Sequence, residues 1–202
     1  MSVRIITISR EFGSGGRMVG KMVADRLGVK FYDRELIQLV AKQSGFALDF
    51  VEETGEYSAA SSLLYNLSVG GLFAQNGFAP DPLSPADRVQ ILQNNLIRDL
   101  ADKEPCVIIG RSANYILRER TDCLHVFIHA PLAQRVQRAI EEYKIPAKDA
   151  EKYIQRKDKA RAAQYRHYTD GVWGMADNYH LTLDSGVFSL ERCCDVITGL
   201  AR

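Results

Sequence analysis

Residues 5–17 read IITISREFGSGGR, and this stretch decides the fold. Its first half continues an apolar, β-branched run that starts at Val3, which predicts a buried parallel strand. The glycines that follow let the backbone curl tightly, with its N–H groups pointing inward. Apolar residues then return at helical spacing, at Met18, Val19, Met22, Val23 and Leu27. A helix N-terminus carries partial positive charge and free N–H donors, so this strand–loop–helix unit predicts a cradle for phosphate. The alternative is a glycine turn that only joins strand to helix.

Two registers of a phosphate-binding P-loop fit this stretch. The pattern G-x-x-x-x-G-K-[ST] is matched by residues 15–21, except that Met22 stands where the hydroxyl residue belongs. That register places Lys21 a full turn or more inside the helix. It also puts the first glycine of the loop well beyond the end of the strand, whereas P-loops turn directly off the strand. We therefore interpret this match as a decoy.

The favoured register places the loop at residues 11–16 and puts Arg17 in the lysine position. It requires Glu11 in place of the first glycine and Met18 in place of the hydroxyl residue that normally binds magnesium. Arginine can hold phosphate in a bidentate way, so phosphate binding should survive these departures. A magnesium site built by the protein survives them less well, and no metal ligand is assigned. This register predicts phosphate contacts from Gly13, Ser14, Gly15, Gly16 and Arg17.

Composition sets limits on the class of protein. The 202 residues are 46% hydrophobic and 25% charged, which is ordinary for one globular domain. The net charge of +1 gives no indication of a nucleic-acid partner or an anionic membrane surface. We expect a cytoplasmic, reduced protein, because we find no signal peptide and no C-x-x-C pair among Cys106, Cys123, Cys193 and Cys194.

Four further runs resemble strands, with helical patterns between them. These runs cover residues 29–33, 106–109, 124–129 and 179–183. Five strands that alternate with helices predict a three-layer α/β/α fold with a parallel sheet, that of the P-loop NTPases. In such sheets ligands bind at the carboxyl ends of the strands.

Several charged residues are expected at those strand ends. Asp33 closes the second strand, where it would either contact a substrate or metal or cap the next helix. Arg111 follows Gly110 after the third strand, where it would either hold an anion or form a structural salt bridge. Arg135 and Arg138 lie one turn apart on the helix after the fourth strand.

Residues 144–168 form a basic helical tract with eight Lys or Arg residues and three acids. Such a tract is either a solvated helix face or a mobile lid. We favour a lid over about residues 144–172, because it follows a phosphate loop. Lid arginines would stabilise charge on a transferring phosphoryl group and exclude water. Arg156 and Arg161 are the candidates.

Residues 57–80 contain no charged side chain. Glycines, serines and amides interrupt their apolar run, so a membrane span is not expected. A cover over a substrate pocket or a homo-oligomer interface suits them better. We take about 46–83 as an acceptor-side insertion.

With these motifs in place, the chain resembles the nucleoside monophosphate kinases, and within them the cytidylate kinase-like family. The resemblance covers nearly the whole chain. It is carried by ITISREFGSGGR, FYDREL, VIIGRSANYIL, HVFIHAPLAQRVQR, IQRKDKARAAQYRHYTDGVW and YHLTLDSG.

The resemblance implies a single kinase domain over residues 1–202 that transfers the γ-phosphate of ATP to CMP or dCMP with Mg²⁺. It implies that residues 13–17 hold donor phosphates, that Asp33 and Arg111 face the acceptor, and that the phosphate clamps are Arg135, Arg138, Arg156 and Arg161. Arg17, Arg156 and Arg161 would be catalytic, and Arg135 and Arg138 would lie on the acceptor side.

The chain departs from the family pattern at three places. Arg17-Met18 stands where the family has lysine and a hydroxyl residue, and Asp33-Arg34-Glu35 replaces Asp-Ser-Gly. Ser112 replaces the acid of Gly-Arg-Asp. Two alternatives therefore stay open: a kinase of another small molecule on this fold, or a nucleotide-binding protein with weakened catalysis.

Overall fold

Five strands build one parallel sheet at the centre of the molecule. The structure is a computed structural model that describes residues 3–52 and 83–201. The sheet order is β2-β3-β1-β4-β5, and every neighbouring pair is parallel. The strands are β1 (Ile5–Arg10), β2 (Lys30–Tyr32), β3 (Cys106–Ile109), β4 (Cys123–His129) and β5 (Leu181–Asp184).

Helices follow the strands in the described part of the chain. Ser84 caps helix α3 (Pro85–Lys103) by accepting a hydrogen bond from the backbone N–H of Asp87 at 3.0 Å. This is expected for a serine before a proline in the first turn. Most of the basic tract is helical, as predicted, and forms helix α6 (Ala147–Thr169). The helices are α1 (Gly16–Leu27), α2 (Arg34–Ser44), α3 (Pro85–Lys103), α4 (Ala113–Ile116), α5 (Leu132–Glu141), α6 (Ala147–Thr169) and α7 (Leu190–Leu200).

The sheet is buried on both faces, which explains why its strands are nearly all apolar. On one face, Ile5 and Ile108 pack with α2, α3 and α4. On the other face, Ile6 and Ile8 pack with α1 and α7. The predicted three-layer α/β/α fold is therefore confirmed.

The register of the sheet brings the strand ends to one edge. Ile8 of β1 lies opposite Ile109 of β3, and Arg10 lies opposite Ile128 of β4. The loops after these strands therefore start side by side, with the loop after β1 in the middle. This edge is where the sequence places the phosphate loop, Asp33 and Arg111.

The uncharged segment 57–80 lies outside the described residues, and so does the interface expected there. Most of the insertion expected at 46–83 is outside them as well. Among the residues that the structure does describe, no helix has the length and apolar character needed to cross a membrane.

A prediction concerns the packing of α1 on the sheet. A Cβ at buried Gly20 would lie 2.5 Å from Ile109 Cδ1 and 3.3 Å from Ile8 Cδ1. We expect Gly20→Ala to lower the free energy of unfolding by about 1–2 kcal/mol net, because the overpacking cost of about 1–3 kcal/mol exceeds the helix-propensity gain of up to about 1 kcal/mol.

Gly199→Ala is the matched control for this prediction. Gly199 lies in α7, and beyond its chain neighbours and the nearby helix backbone nothing in the described chain comes within 4 Å of a Cβ added there. This change should raise stability by up to about 1 kcal/mol, through helix propensity alone. Urea titration measures both values. A Gly20→Ala protein as stable as the parent would contradict the packing argument.

Candidate active site

The loop between β1 and α1 has the backbone shape of a phosphate cradle. Gly13 and Gly15 have φ values of 77° and 76°, in the left-handed region that favours glycine. Helix α1 starts directly after Gly15, so Arg17 lies in its first turn. Lys21 lies a turn further along, with its exposed Nζ paired to Asp25. The loop therefore turns directly off β1 and Lys21 lies inside α1, as the favoured register requires; that Arg17 holds phosphate stays a prediction.

Ser14 holds the loop together from within. Its side chain is fully buried, and its Oγ donates to the carbonyl of Glu11 at 2.9 Å and lies 3.4 Å from the N–H of Gly16. The Ser14 carbonyl in turn accepts from Ser185 Oγ at 2.5 Å. The Ser14 side chain is therefore part of the loop's internal structure rather than directed at a ligand.

Helix α5 supports the loop from behind. Arg135 Nη1 donates to the carbonyl of Phe12 at 3.3 Å, and Arg138 Nη1 donates to the carbonyl of Gly13 at 2.6 Å. The contact is so close that a Cβ at Gly13 would lie 2.7 Å from the carbonyl oxygen of Arg135. The sequence suggested acceptor contacts for Arg135 and Arg138, but the structure places both on loop carbonyls.

A cleft of about 320 Å³ opens at the carboxyl ends of β1, β2 and β3. It brings together seven residues that the sequence singled out, while Ser14, Arg135, Arg138 and Arg156 are not among its described lining residues. The seven are Gly13, Gly15, Gly16, Arg17, Asp33, Arg111 and Arg161.

Arg17 and Asp33 form an ion pair inside this cleft. Arg17 Nε donates to Asp33 Oδ2 at 2.5 Å. This hydrogen bond raises the pKa of Arg17 above its ordinary value, so the guanidinium stays charged. Asp33 occupies the N-cap position of α2, but its carboxylate is engaged with Arg17 instead of the N–H groups of that helix. The structure thus places the Asp33 side chain in the cleft.

The turn after β3 places Arg111 in the cleft through an unusual backbone. Gly110, Arg111 and Ser112 have consecutive φ values of 66°, 58° and 54°. Left-handed non-glycine residues cost about 1–3 kcal/mol each, and such strain clusters at functional sites. The guanidinium of Arg10 lies where a Cβ of Gly110 would stand, so this turn requires glycine.

The two arginines expected to act from α6 lie apart. Arg161 lines the cleft, and its Nη1 donates to the carbonyl of Arg10 at 3.3 Å. Arg156 is exposed, with its guanidinium 5.4 Å from the centre of the Tyr153 ring. Of these two arginines, only Arg161 is among the described residues that line the cleft.

Sequence reasoning missed two residues that shape the site, Glu11 and Asp158. Glu11 Oε2 accepts from the N–H of Ala130 at 3.1 Å and lies 3.4 Å from Arg135 Nε. Asp158 accepts from the N–H of Phe12 at 2.7 Å. By sequence, Glu11 is only a departure from the first glycine of the P-loop pattern, and Asp158 is only one acid in a basic tract. The spacing of Asp158 one turn before Arg161 was the available signal.

The central glycine loop and the parallel sheet around it define the P-loop kinase class of fold. The sequence profile of the cytidylate kinase-like family matches residues 5–187. The chain therefore belongs to the cytidylate kinase-like family, and its resemblance to that family is confirmed. Family and fold together support a phosphotransferase that acts on a nucleotide or another small molecule. No curated protein matches the chain.

Solved structures share the fold. An uncharacterized protein from Eubacterium ventriosum ATCC 27560 is 25% identical, with a TM-score of 0.72 over 98% of this chain and 97% of its own. A shikimate kinase from Acinetobacter baumannii, solved with shikimate, is 13% identical with a TM-score of 0.52, over 98% of this chain and 92% of its own. A shikimate kinase from Bacteroides thetaiotaomicron is 16% identical with a TM-score of 0.52, over 99% and 98%. Similarity at the two lower identities shows the fold alone.

A prediction follows from the close approach of α5 to the loop. Gly13→Ala would strain a left-handed residue and press its Cβ onto the Arg135 carbonyl. The loop must then move, so we expect ATP affinity to fall at least about tenfold, corresponding to 1.4 kcal/mol. Isothermal titration calorimetry measures this change.

Gly28→Ala controls for the backbone strain alone. Gly28 has a φ of 66°, and apart from its chain neighbours no atom of the described chain lies within 4 Å of a Cβ added there. This variant should lose some stability but keep the parent affinity for ATP. Equal ATP affinity of the Gly13→Ala protein and the parent would contradict the role given to Gly13.

Proposed function

We propose that the chain transfers the γ-phosphate of ATP to a nucleoside monophosphate, with CMP or dCMP as the first candidates. The observation that carries this proposal is the cleft itself. The phosphate loop at the start of α1 shares it with Arg17, Asp33, Arg111 and Arg161. A phosphate donor and an anionic acceptor therefore find cationic groups on both sides of one cavity.

The donor phosphates would bind the N–H groups of the loop and the N-terminus of α1. Arg17 and Arg161 would stabilise the charge that develops on the transferring group. Arg111 and Asp33 would face the acceptor. Phosphoryl transfer needs positioning and charge stabilisation and no covalent intermediate on the protein, so we assign no nucleophile. Residues 144–172 would act as the lid that excludes water.

Arg17 suits this role through the way it is paired. Its bond to Asp33 uses Nε, which leaves both Nη groups for a phosphate. The Arg17 side chain is 53% exposed and lines the cleft. A guanidinium has five donors in a planar fork, so one side chain can hold the donor phosphate and the acceptor-side carboxylate together.

Magnesium fits this site if the nucleotide carries most of its ligands. Met18 occupies the hydroxyl position, and the described residues contain no group of three or more His, Cys, Asp or Glu placed to hold a metal. Mg²⁺ usually keeps several waters and binds one or two carboxylates together with substrate phosphates. Asp33 is the carboxylate at the loop mouth that would serve. A bound Mg²⁺ supplies neutralisation of phosphate charge.

A second candidate is a kinase of another small molecule. Arg34 lines the cleft, where the family pattern has serine, and lies 3.7 Å from Glu52. Glu52 also lines the cleft and offsets this added charge, so the change favours an acceptor with a different shape or charge distribution from CMP. The third candidate is a nucleotide-binding protein with weakened catalysis. It is suggested by Met18, which stands where a magnesium-binding hydroxyl residue is expected.

A substrate panel tests these proposals. Nucleoside monophosphates, small sugars and hydroxy acids are each added with ATP and Mg²⁺, and ADP release is measured. We expect turnover with CMP or dCMP. Turnover with a sugar or an acid alone would transfer the proposal to the second candidate. ATP-dependent thermal stabilisation without any turnover would support the third.

The register of the loop makes a sharper prediction. Arg17→Ala should lower kcat/KM by about 10²- to 10³-fold, because it removes a donor to the developing charge. Steady-state kinetics with the accepted substrate measures this value, and calorimetry should show weaker ATP binding.

Lys21→Ala is the control for Arg17→Ala. Lys21 lies on the exposed face of α1, paired with Asp25 four residues on. Its removal should leave ATP affinity and kcat/KM within about twofold of the parent, since such surface pairs contribute about 0.3–0.5 kcal/mol. If Lys21→Ala weakens ATP binding and Arg17→Ala does not, the register is wrong.

A further inference from the structure

Asp158, in the middle of α6, reaches the phosphate loop. Its Oδ1 accepts from the backbone N–H of Phe12 at 2.7 Å. Its Oδ2 is paired with Arg135 Nη1, and Arg161 Nη1 lies 3.7 Å from Oδ1. The carboxylate is only 16% exposed. One side chain thus links α6 to the loop, to α5 and to the cleft-lining arginine.

The ring of Phe12 packs against aromatic side chains of α6 and of the turn that precedes it. Its centre lies 5.0 Å from the ring of Tyr143 and 5.2 Å from the ring of Tyr153. The guanidinium carbon of Arg161 lies 5.6 Å from the Phe12 ring centre. This residue of the loop is therefore fixed both by its N–H and by its side chain.

The charged groups around Asp158 contribute to the orientation of the Arg161 side chain. A buried charge must be paired, and Asp158 is placed between two guanidinium groups. Arg135 also faces Glu11 at 3.4 Å, so it keeps a carboxylate if Asp158 is neutralised. Arg161 is one turn from Asp158 on α6 and is only 12% exposed. Neutralising Asp158 would therefore remove a charged contact from both arginines, while the hydrogen bond from Arg161 Nη1 to the carbonyl of Arg10 at 3.3 Å remains.

We propose that Asp158 is a positioning residue that holds the phosphate loop and Arg161 in register with one another. The central turns of α6 then stay fastened to the loop at Phe12, and a lid movement would be confined to other parts of residues 144–172. This inference rests on the proposed kinase function for its kinetic consequences. Its structural consequence, the anchoring of the loop, stands apart from catalysis.

Two variants separate the contacts of Asp158. Asp158→Asn keeps an oxygen that can accept from the Phe12 N–H but removes the negative charge. Asp158→Ala removes both. Glu151→Gln is the matched control, because Glu151 is an exposed acid on the same helix that accepts from Gln155 at 3.0 Å.

Hydrogen exchange tests the anchoring without any need for activity. In Asp158→Ala, the amides of residues 11–17 should exchange about tenfold faster than in the parent, since a hydrogen bond to a charged group is lost. In Asp158→Asn the acceleration should be smaller. Exchange in the second half of α7, away from the end of that helix that packs against Gly15, should be unchanged in both. Equal loop exchange in the parent and both variants would overturn the proposal.

Kinetics test the link to Arg161. Asp158→Asn should lower kcat by about tenfold with a smaller change in the KM for ATP, because the loop contact survives while Arg161 loses a partner. Asp158→Ala should change both parameters, and Glu151→Gln should change neither. An unchanged kcat in Asp158→Asn, or exchange that rises uniformly over the whole chain, would show a merely structural residue and overturn the proposal.

The two proposals fail in distinguishable ways. A parent protein that turns over no substrate contradicts the kinase function, while loop exchange still decides whether Asp158 anchors the loop. If Asp158→Ala does not fold, Asp158→Asn carries both measurements. An active parent whose Asp158→Asn variant matches it in exchange and in kcat contradicts the role of Asp158 alone.

Discussion

A loop that turns its N–H groups toward a ligand must satisfy its carbonyl oxygens elsewhere, and this constraint shapes the site. Buried backbone polar groups are almost always paired. The carbonyls of residues 10–14 show how the chain does this, and four of them accept from outside the loop. They belong to Arg10, Phe12, Gly13 and Ser14 with one interruption at Glu11, whose carbonyl is paired inside the loop, and they accept from Arg161, Arg135, Arg138 and Ser185. Helices α5 and α6 and the turn after β5 are therefore all fastened to the loop backbone.

Much of the fold follows from local patterns. Strand bounds were read from β-branched runs, and the predicted start of α3 rests on the serine and proline at 84 and 85, which the structure confirms. The same reasoning separated the two loop registers, because a lysine five residues into α1 lies too far along the helix. These features depend on neighbours in sequence, so the sequence alone determines them.

The roles of the arginines could not be read in this way. Arg135 and Arg138 bind carbonyls 123 and 125 residues away, and no local pattern encodes that pairing. A cation near a phosphate loop suits a phosphate and a carbonyl oxygen equally well by sequence. Asp158 was hidden for the same reason, since its partner Phe12 is 146 residues distant. Positive charge pointed to residues that line one cleft, such as Arg17, Arg111 and Arg161, but did not predict which group each cation holds.

Two departures from the general P-loop pattern, Glu11 and Arg17, are explained by these contacts. Glu11 replaces a glycine, and its carboxylate ties the loop to Ala130 and Arg135. Arg17 replaces a lysine, and its Nε reaches Asp33. A lysine is a compact point charge that would have to choose between phosphate and carboxylate, whereas a guanidinium can hold both. Under the proposed function, arginine at this position would join the donor side of the cleft to the acceptor side and make the acceptor's environment depend on the donor's presence.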